Sequence, residues 1–114
     1  MSKKLPPYAR NMNSYAHTDD CIIYTGVNAW QVARSKTRLP RTPKLVLPPK
    51  DDPAAYQWPV SGRYCQIWTC GEPEPHETLF KLARLLLEAG AVKVVLFDLS
   101  RPLVVIEPKR RAAA

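Results

Sequence analysis

The stretch from residue 64 to residue 98 reads as one strand, one helix and one strand, and this unit constrains the fold more than any other. Tyr64-Cys65-Gln66-Ile67-Trp68-Thr69 is an apolar-rich run that ends in Cys70-Gly71-Glu72-Pro73-Glu74-Pro75. From His76 to Ala89 the pattern is helical. Glu77, Lys81, Arg84 and Glu88 share one face, and Leu79, Leu82, Ala83, Leu86 and Leu87 cover the other. Pro75 suits the first turn, and Gly90 suits the left-handed position after the last. The apolar run from Val92 to Phe97 follows. A helical crossover of this length forces its two strands parallel, and in such sheets a ligand site falls at the loop after the first strand.

The preceding half repeats the same grammar. Cys21-Ile22-Ile23-Tyr24 reads as a buried strand ended by Thr25-Gly26, and Asn28 suits a helix cap. Ala29, Trp30, Val32 and Ala33 form an expected core-facing stripe, with Gln31 and Arg34 turned outward, and the helix must stop before Pro40. Lys44-Leu45-Val46-Leu47 is a second strand, closed by Pro48-Pro49. Lys50 to Gly62 reads as a long loop, with a helical turn at Pro53-Ala54-Ala55-Tyr56 and Trp58 as a packing anchor. Val92 to Phe97 lacks polar alternation after Lys93, as expected of a strand covered on both faces. Leu103 to Ile106 is expected as an antiparallel edge strand. The resulting order, β-α-β, loop, β-α-β-β, predicts an α/β fold around a small, mainly parallel sheet. Residues 1–20 read as an irregular N-terminal arm that orders only by docking, 21–108 as one α/β domain, and 109–114 as a basic tail.

Twelve prolines in 114 residues imply short elements and stiff connections. No apolar run approaches the ~18–20 residues of a membrane span, and the charged start Met1-Ser2-Lys3-Lys4 leads into no signal-peptide core. The expectation is a soluble, cytoplasmic protein. Cys21, Cys65 and Cys70 lack CxxC spacing, and Cys65 and Cys70 with His76 have no fourth ligand in register and make a poor zinc site, so buried reduced thiols are expected and no metal or cofactor. Net charge is +7 and segregated. No acidic residue falls between Asp20 and Asp51, where Arg34, Lys36, Arg38, Arg41, Lys44 and Lys50 lie; Lys109, Arg110 and Arg111 form a second group. Such a distribution suits a polyanion or an acidic protein surface.

Over roughly residues 21–98 the chain resembles a Toprim domain, the metal-binding fold of primases, topoisomerases and related nucleases, and most of all the version found in phage and plasmid primase-helicases. The closest match is Ala83-Arg84-Leu85-Leu86-Leu87-Glu88-Ala89-Gly90-Ala91, similar to the family's "lakLLLeaGA" helix end. The resemblance implies a first strand ending in Glu-Gly and a third ending in Asp-x-Asp. Here Thr25-Gly26 stands at the first position, and Cys70 and Glu72 stand at the second, with Glu74 two residues on. A Mg²⁺ site for phosphoryl transfer needs clustered carboxylates, and neither Thr25 nor Cys70 replaces the missing charge.

The sequence therefore points to a non-enzymatic nucleic-acid-binding accessory protein of a phage or mobile element on a degenerate Toprim-like scaffold. Arg34, Lys36, Arg38, Arg41, Lys44, Lys109, Arg110 and Arg111 would be the phosphate contacts, and Thr25, Gly26, Cys70, Glu72 and Glu74 the vestigial site. The alternative is a protein–protein interaction module, an inhibitor or adaptor of a host or defence complex, anchored by Tyr8, Tyr15, Tyr56 and Trp58. A residual metal-dependent nuclease using Glu72 and Glu74 is the third reading.

Overall fold

A sheet of five strands in the order β2-β1-β3-β4-β5 organises the described residues, with an α-helix packed on each face. The computed structural model describes residues 4–7, 20–35, 43–70, 76–97 and 104–106. The strands are β1 (Asp20–Thr25), β2 (Lys44–Val46), β3 (Tyr64–Thr69), β4 (Lys93–Phe97) and β5 (Val104–Ile106); the helices are α1 (Ala29–Ser35) and α2 (His76–Glu88). β1 pairs parallel with β2 and with β3, β3 pairs parallel with β4, and β5 closes the edge antiparallel to β4. The predicted α/β fold with a mainly parallel sheet is the observed one. The expected boundaries move by one residue at both ends of β1, which runs from Asp20 to Thr25, at the end of β2, which stops at Val46, and at the start of β4, which begins at Lys93.

The direction of each crossover decides which face its helix covers. The chain steps from β1 to β2 in one direction across the sheet and from β3 to β4 in the other. Right-handed crossovers taken in opposite directions put their helices on opposite faces. On the α2 face, Leu79, Leu82, Ala83 and Leu86 pack on Cys21, Ile23, Cys65, Ile67, Val94 and Leu96. On the other face Ala29 and Ala33 of α1 pack on Tyr24 and Val46. The apolar stripe of α2 is thus the one its periodicity predicts. That of α1 is narrower: Trp30, expected in the core, is 39% exposed. The small Ala29 and Ala33, four apart, bring this short helix close to β1 and β2 with Val32 partly buried beside them, and residue 30 lies about 100° round the axis from residue 29.

The connection from β2 to β3 completes the α2 face. Asp52 accepts from the Ala54 N–H (2.9 Å) and caps a 3-10 turn at Pro53–Ala55, where one helical turn was expected. Trp58 is buried, with Nε1 donating to the Pro53 carbonyl (3.0 Å), and Tyr56 is buried beside it with its hydroxyl donating to Asp51. Both were candidate exposed anchors for a protein partner. Their burial corrects that expectation, because the area of these rings fills the core under the loop. Tyr8 and Tyr15 lie outside the described residues. The described piece of the arm docks here too: the Gln57 N–H donates to the Lys4 carbonyl (2.9 Å), and the Lys4 ammonium sits 5.3 Å from the centre of the Tyr56 ring. The Val46 N–H reaches the Pro7 carbonyl (3.4 Å), so this segment also runs along β2.

β4 departs from expectation. It was read as covered on both faces, yet only Val94 and Leu96 are buried, while Lys93, Val95 and Phe97 are half-exposed. Among the described residues α1 covers β1 and β2, and no described helix lies over the same side of β3, β4 and β5.

Candidate functional site

Two places qualify as sites on topological grounds: the switch point where β1 and β3 diverge to their separate helices, and the uncovered half of the sheet.

The switch point is closed as far as it is described. The Cys70 N–H donates to the Thr25 carbonyl (2.7 Å), and the Asn28 N–H donates back to the Cys70 carbonyl (3.0 Å). Gly26 has φ +94°, and a Cβ there would lie 2.5 Å from the Cys70 carbonyl oxygen, so only glycine permits this approach. Thr25 is fully buried, and its hydroxyl donates to the Trp68 carbonyl (3.1 Å). Cys70 is buried, its Sγ 3.9 Å from the same carbonyl oxygen, and burial pushes its thiol pKa up despite the backbone hydrogen bond with Thr25. Thr25 and Cys70 thus serve as packing and backbone-satisfying groups. Glu72 and Glu74 lie outside the described residues. Among the described residues no cluster of three or more His, Cys, Asp or Glu is placed to hold a metal ion.

The uncovered half of the sheet is where the chemistry of the surface concentrates. Strand alternation sends Tyr64, Gln66 and Trp68 to this face, and register sets them beside Lys93, Val95 and Phe97 of β4. Val105 of β5 stands next to Val95 and completes the middle row. Tyr64 is 46% exposed, Trp68 37% and Val105 47%. The Trp68 and Phe97 rings stack with centroids 4.8 Å apart and planes 11° off parallel. Trp68 Nε1 donates to Gln66 Oε1 (3.0 Å), which orients the indole on the sheet. Tyr64 and Trp68, four residues apart on one strand, are separated by about 13 Å. The surface therefore carries aromatic side chains at its two ends, with Gln66, Val95 and Val105 between them. An indole left this exposed on a sheet is uncommon unless something covers it.

Of the sequence-predicted phosphate contacts, Arg34 and Lys44 fall among the described residues. Arg34 is exposed in the last turn of α1, on the same side of the sheet as Trp68. Lys44 is not on an open band: it is 9% exposed in β2, and desolvation lowers its pKa. Its alternation in β2 turns it toward α1, which the charge pattern alone does not reveal. Lys36, Arg38, Arg41, Lys109, Arg110 and Arg111 lie outside the described residues. On the opposite face a groove of about 320 Å³ opens between the long loop and α2, lined by Tyr56, Gln57, Trp58, Leu85, Glu88 and Ala89. Its charged group, Glu88, has the wrong sign for a phosphate.

The buried cysteines complete the inventory. Cys21 and Cys65 face each other in register on β1 and β3, under α2. The hydrogen bond between the two thiols raises the Cys21 pKa well above its ordinary value, and burial adds to the effect.

No protein-family model matches this chain, and neither a curated protein nor a solved structure similar to it was found. The likeness to Toprim domains therefore rests on the sequence motifs alone. The helix is disclosed by the 3.6-residue pattern and the closed switch point by nothing short of coordinates. No helix among the described residues is long and apolar enough to cross a membrane.

Proposed function

We propose that this chain is a non-enzymatic nucleic-acid-binding protein, an accessory factor that uses the open sheet face together with its segregated positive charge. The observation that carries the reading is the conjunction of an exposed aromatic platform with a net charge of +7. Aromatic faces and cations together suit a polyanion whose bases have π-surfaces. The aromatic interleaving absent from the basic runs of the sequence is supplied by the sheet, which gathers Tyr64, Trp68 and Phe97 from two strands.

Support for a non-enzymatic role comes from the end of β1. At the place where a Toprim enzyme has its glutamate, Thr25 is buried and spends its hydroxyl on the Trp68 carbonyl. Cys70, at an aspartate position, is a thiol that burial keeps protonated. Neither offers a hard cation an anionic oxygen.

The test is a salt-titrated binding assay with short DNA and RNA oligonucleotides, run beside a nuclease-treated pull-down. Affinity should fall steeply between about 50 and 200 mM salt, because each phosphate contact releases counterions. Undetectable or salt-insensitive binding, with one stoichiometric protein recovered after nuclease treatment, would favour a protein–protein module on the same face. The aliphatic Val95 and Val105 beside the β5 edge are the feature that favours that second reading.

A further inference from the structure

We infer that the ligand class is single-stranded nucleic acid, bound with unpaired bases stacked on Trp68 and Tyr64 across the β3–β4–β5 face; this rests on the nucleic-acid reading above.

Shape is the first argument. A major groove about 12 Å wide admits a helix or a two-stranded ribbon, not a flat sheet of three strands. The platform spans β3, β4 and β5, and α1 flanks it on the same side, so it meets a flat or flexible partner more readily than a groove. Side-chain chemistry is the second. In a duplex the base faces are already stacked on one another and only their edges are presented, so exposed rings have nothing to stack on. In a single strand every base offers a π-face, and aromatic residues on a sheet are an effective surface for it.

The arrangement of the rings specifies the mode. Trp68 already stacks on Phe97 at 4.8 Å, so a base added over the indole extends an existing stack. The hydrogen bond from Trp68 to Gln66 holds the indole in place before any ligand arrives, which reduces the ordering cost of binding. About 13 Å further along β3, Tyr64 gives a second stacking position. Lys93, its register neighbour on β4, places a cation next to that position. Gln66, between the two rings, supplies an amide at the height of the bases. A strand running along β3 would thus have stacking contacts at each end and a polar contact midway. Every base can stack, so preference among sequences should be slight.

The assay is fluorescence anisotropy of the full chain with a labelled dT12, an rU12 and a 12-base-pair duplex at matched salt. Wild type is expected to bind the single strands more tightly than the duplex. Trp68→Ala should weaken single-strand binding about tenfold to a hundredfold, Tyr64→Ala about tenfold, and Trp68→Phe should restore most of the loss, with duplex binding unchanged throughout. Circular dichroism and urea midpoints establish that the variants fold; both side chains are partly exposed, so little core is lost. Equal single-strand and duplex affinity that neither alanine variant changes overturns this inference and leaves the nucleic-acid reading standing. No binding to any of the probes at low salt removes both. A concentration-dependent dimer by light scattering that Trp68→Ala abolishes overturns the inference as well, since the face would then be covered by a second copy.

Discussion

Replacing Gly26 with alanine tests the closed end of the β1–β3 pair. Two effects are expected to combine. The residue has φ +94°, and a left-handed conformation costs a side chain roughly 1–2 kcal/mol. In addition the new methyl would sit 2.5 Å from the Cys70 carbonyl oxygen, a backbone atom that cannot rotate away. Relieving that contact moves the carbonyl that accepts from Asn28 and strains the neighbouring bond from Cys70 to Thr25. Weakening both hydrogen bonds adds about 1–2 kcal/mol, for a total of about 2–4 kcal/mol. Gly62 is the internal control: its φ is +78°, and nothing lies within 4 Å of a Cβ built there, so Gly62→Ala should cost only the conformational part. A chain of 114 residues loses about 4 °C of Tm per kcal/mol. Gly26→Ala should therefore lower Tm by about 8–16 °C and Gly62→Ala by about 4–8 °C. Calorimetry of the two variants beside wild type reads the difference directly. If Gly26→Ala cost no more than Gly62→Ala, the strand ends would not be locked together, and an open crevice at the switch point would have to be reconsidered.

The remaining predictions concern the buried polar groups and the basic helix. Thr25→Val should destabilise the fold by about 1–2 kcal/mol in urea, because it deletes a buried hydrogen bond and leaves the Trp68 carbonyl with one donor fewer. Stability should decline on the alkaline side: Cys21, Tyr24, Tyr56 and Cys70 all have folded pKa values raised above their ordinary ones, Tyr56 to about 12 through burial and its hydrogen bond to Asp51. A raised acid stays neutral in the fold while the unfolded chain ionises. The urea midpoint should thus hold up to about pH 9 and fall above it, by at most about 1.4 kcal/mol per pH unit for each group. In native protein at pH 8, a thiol reagent should modify Cys21 and Cys65 far more slowly than after denaturation. Arg34→Ala should reduce oligonucleotide affinity at low salt about equally for all sequences and shallow the salt slope by about one contact.

How far the sequence speaks depends on which physical signal each element sends. α2 carries a full apolar stripe from Leu79 to Leu86 and a glycine at its end, so its position, its inward face and the positive φ of Gly90 (+103°) were legible. The antiparallel β5 was legible because Asp98-Leu99-Ser100-Arg101-Pro102 reads as a turn between two apolar runs. The open face was not. Val92 to Phe97 looks like a strand buried on both sides, because valine and phenylalanine read alike whether or not a helix covers them. Coverage depends on how many helices each face receives, and that follows from the direction of the two crossovers across the whole sheet. Tyr64, Gln66 and Trp68 did hold a hint, in a period-two alternation against the buried Cys65 and Ile67. Lys44 failed for a related reason: the charge is visible in the sequence, but its orientation on a three-residue strand depends on register with β1. Thr25 was legible as a missing acid, yet its bond to the Trp68 carbonyl needed the β1–β3 register to appear.

Mapping backbone amide shifts by NMR during titration with an unlabelled dT12 addresses the account at its centre. The shifts should concentrate on Tyr64, Gln66, Trp68, Lys93, Val95, Phe97 and Val105, with the Trp68 indole signal moving most, while the outer face of α2 at Glu77, Lys81, Arg84 and Glu88 stays still. Shifts gathered on α2 or in the groove beside Trp58, with the sheet residues unmoved, would contradict it.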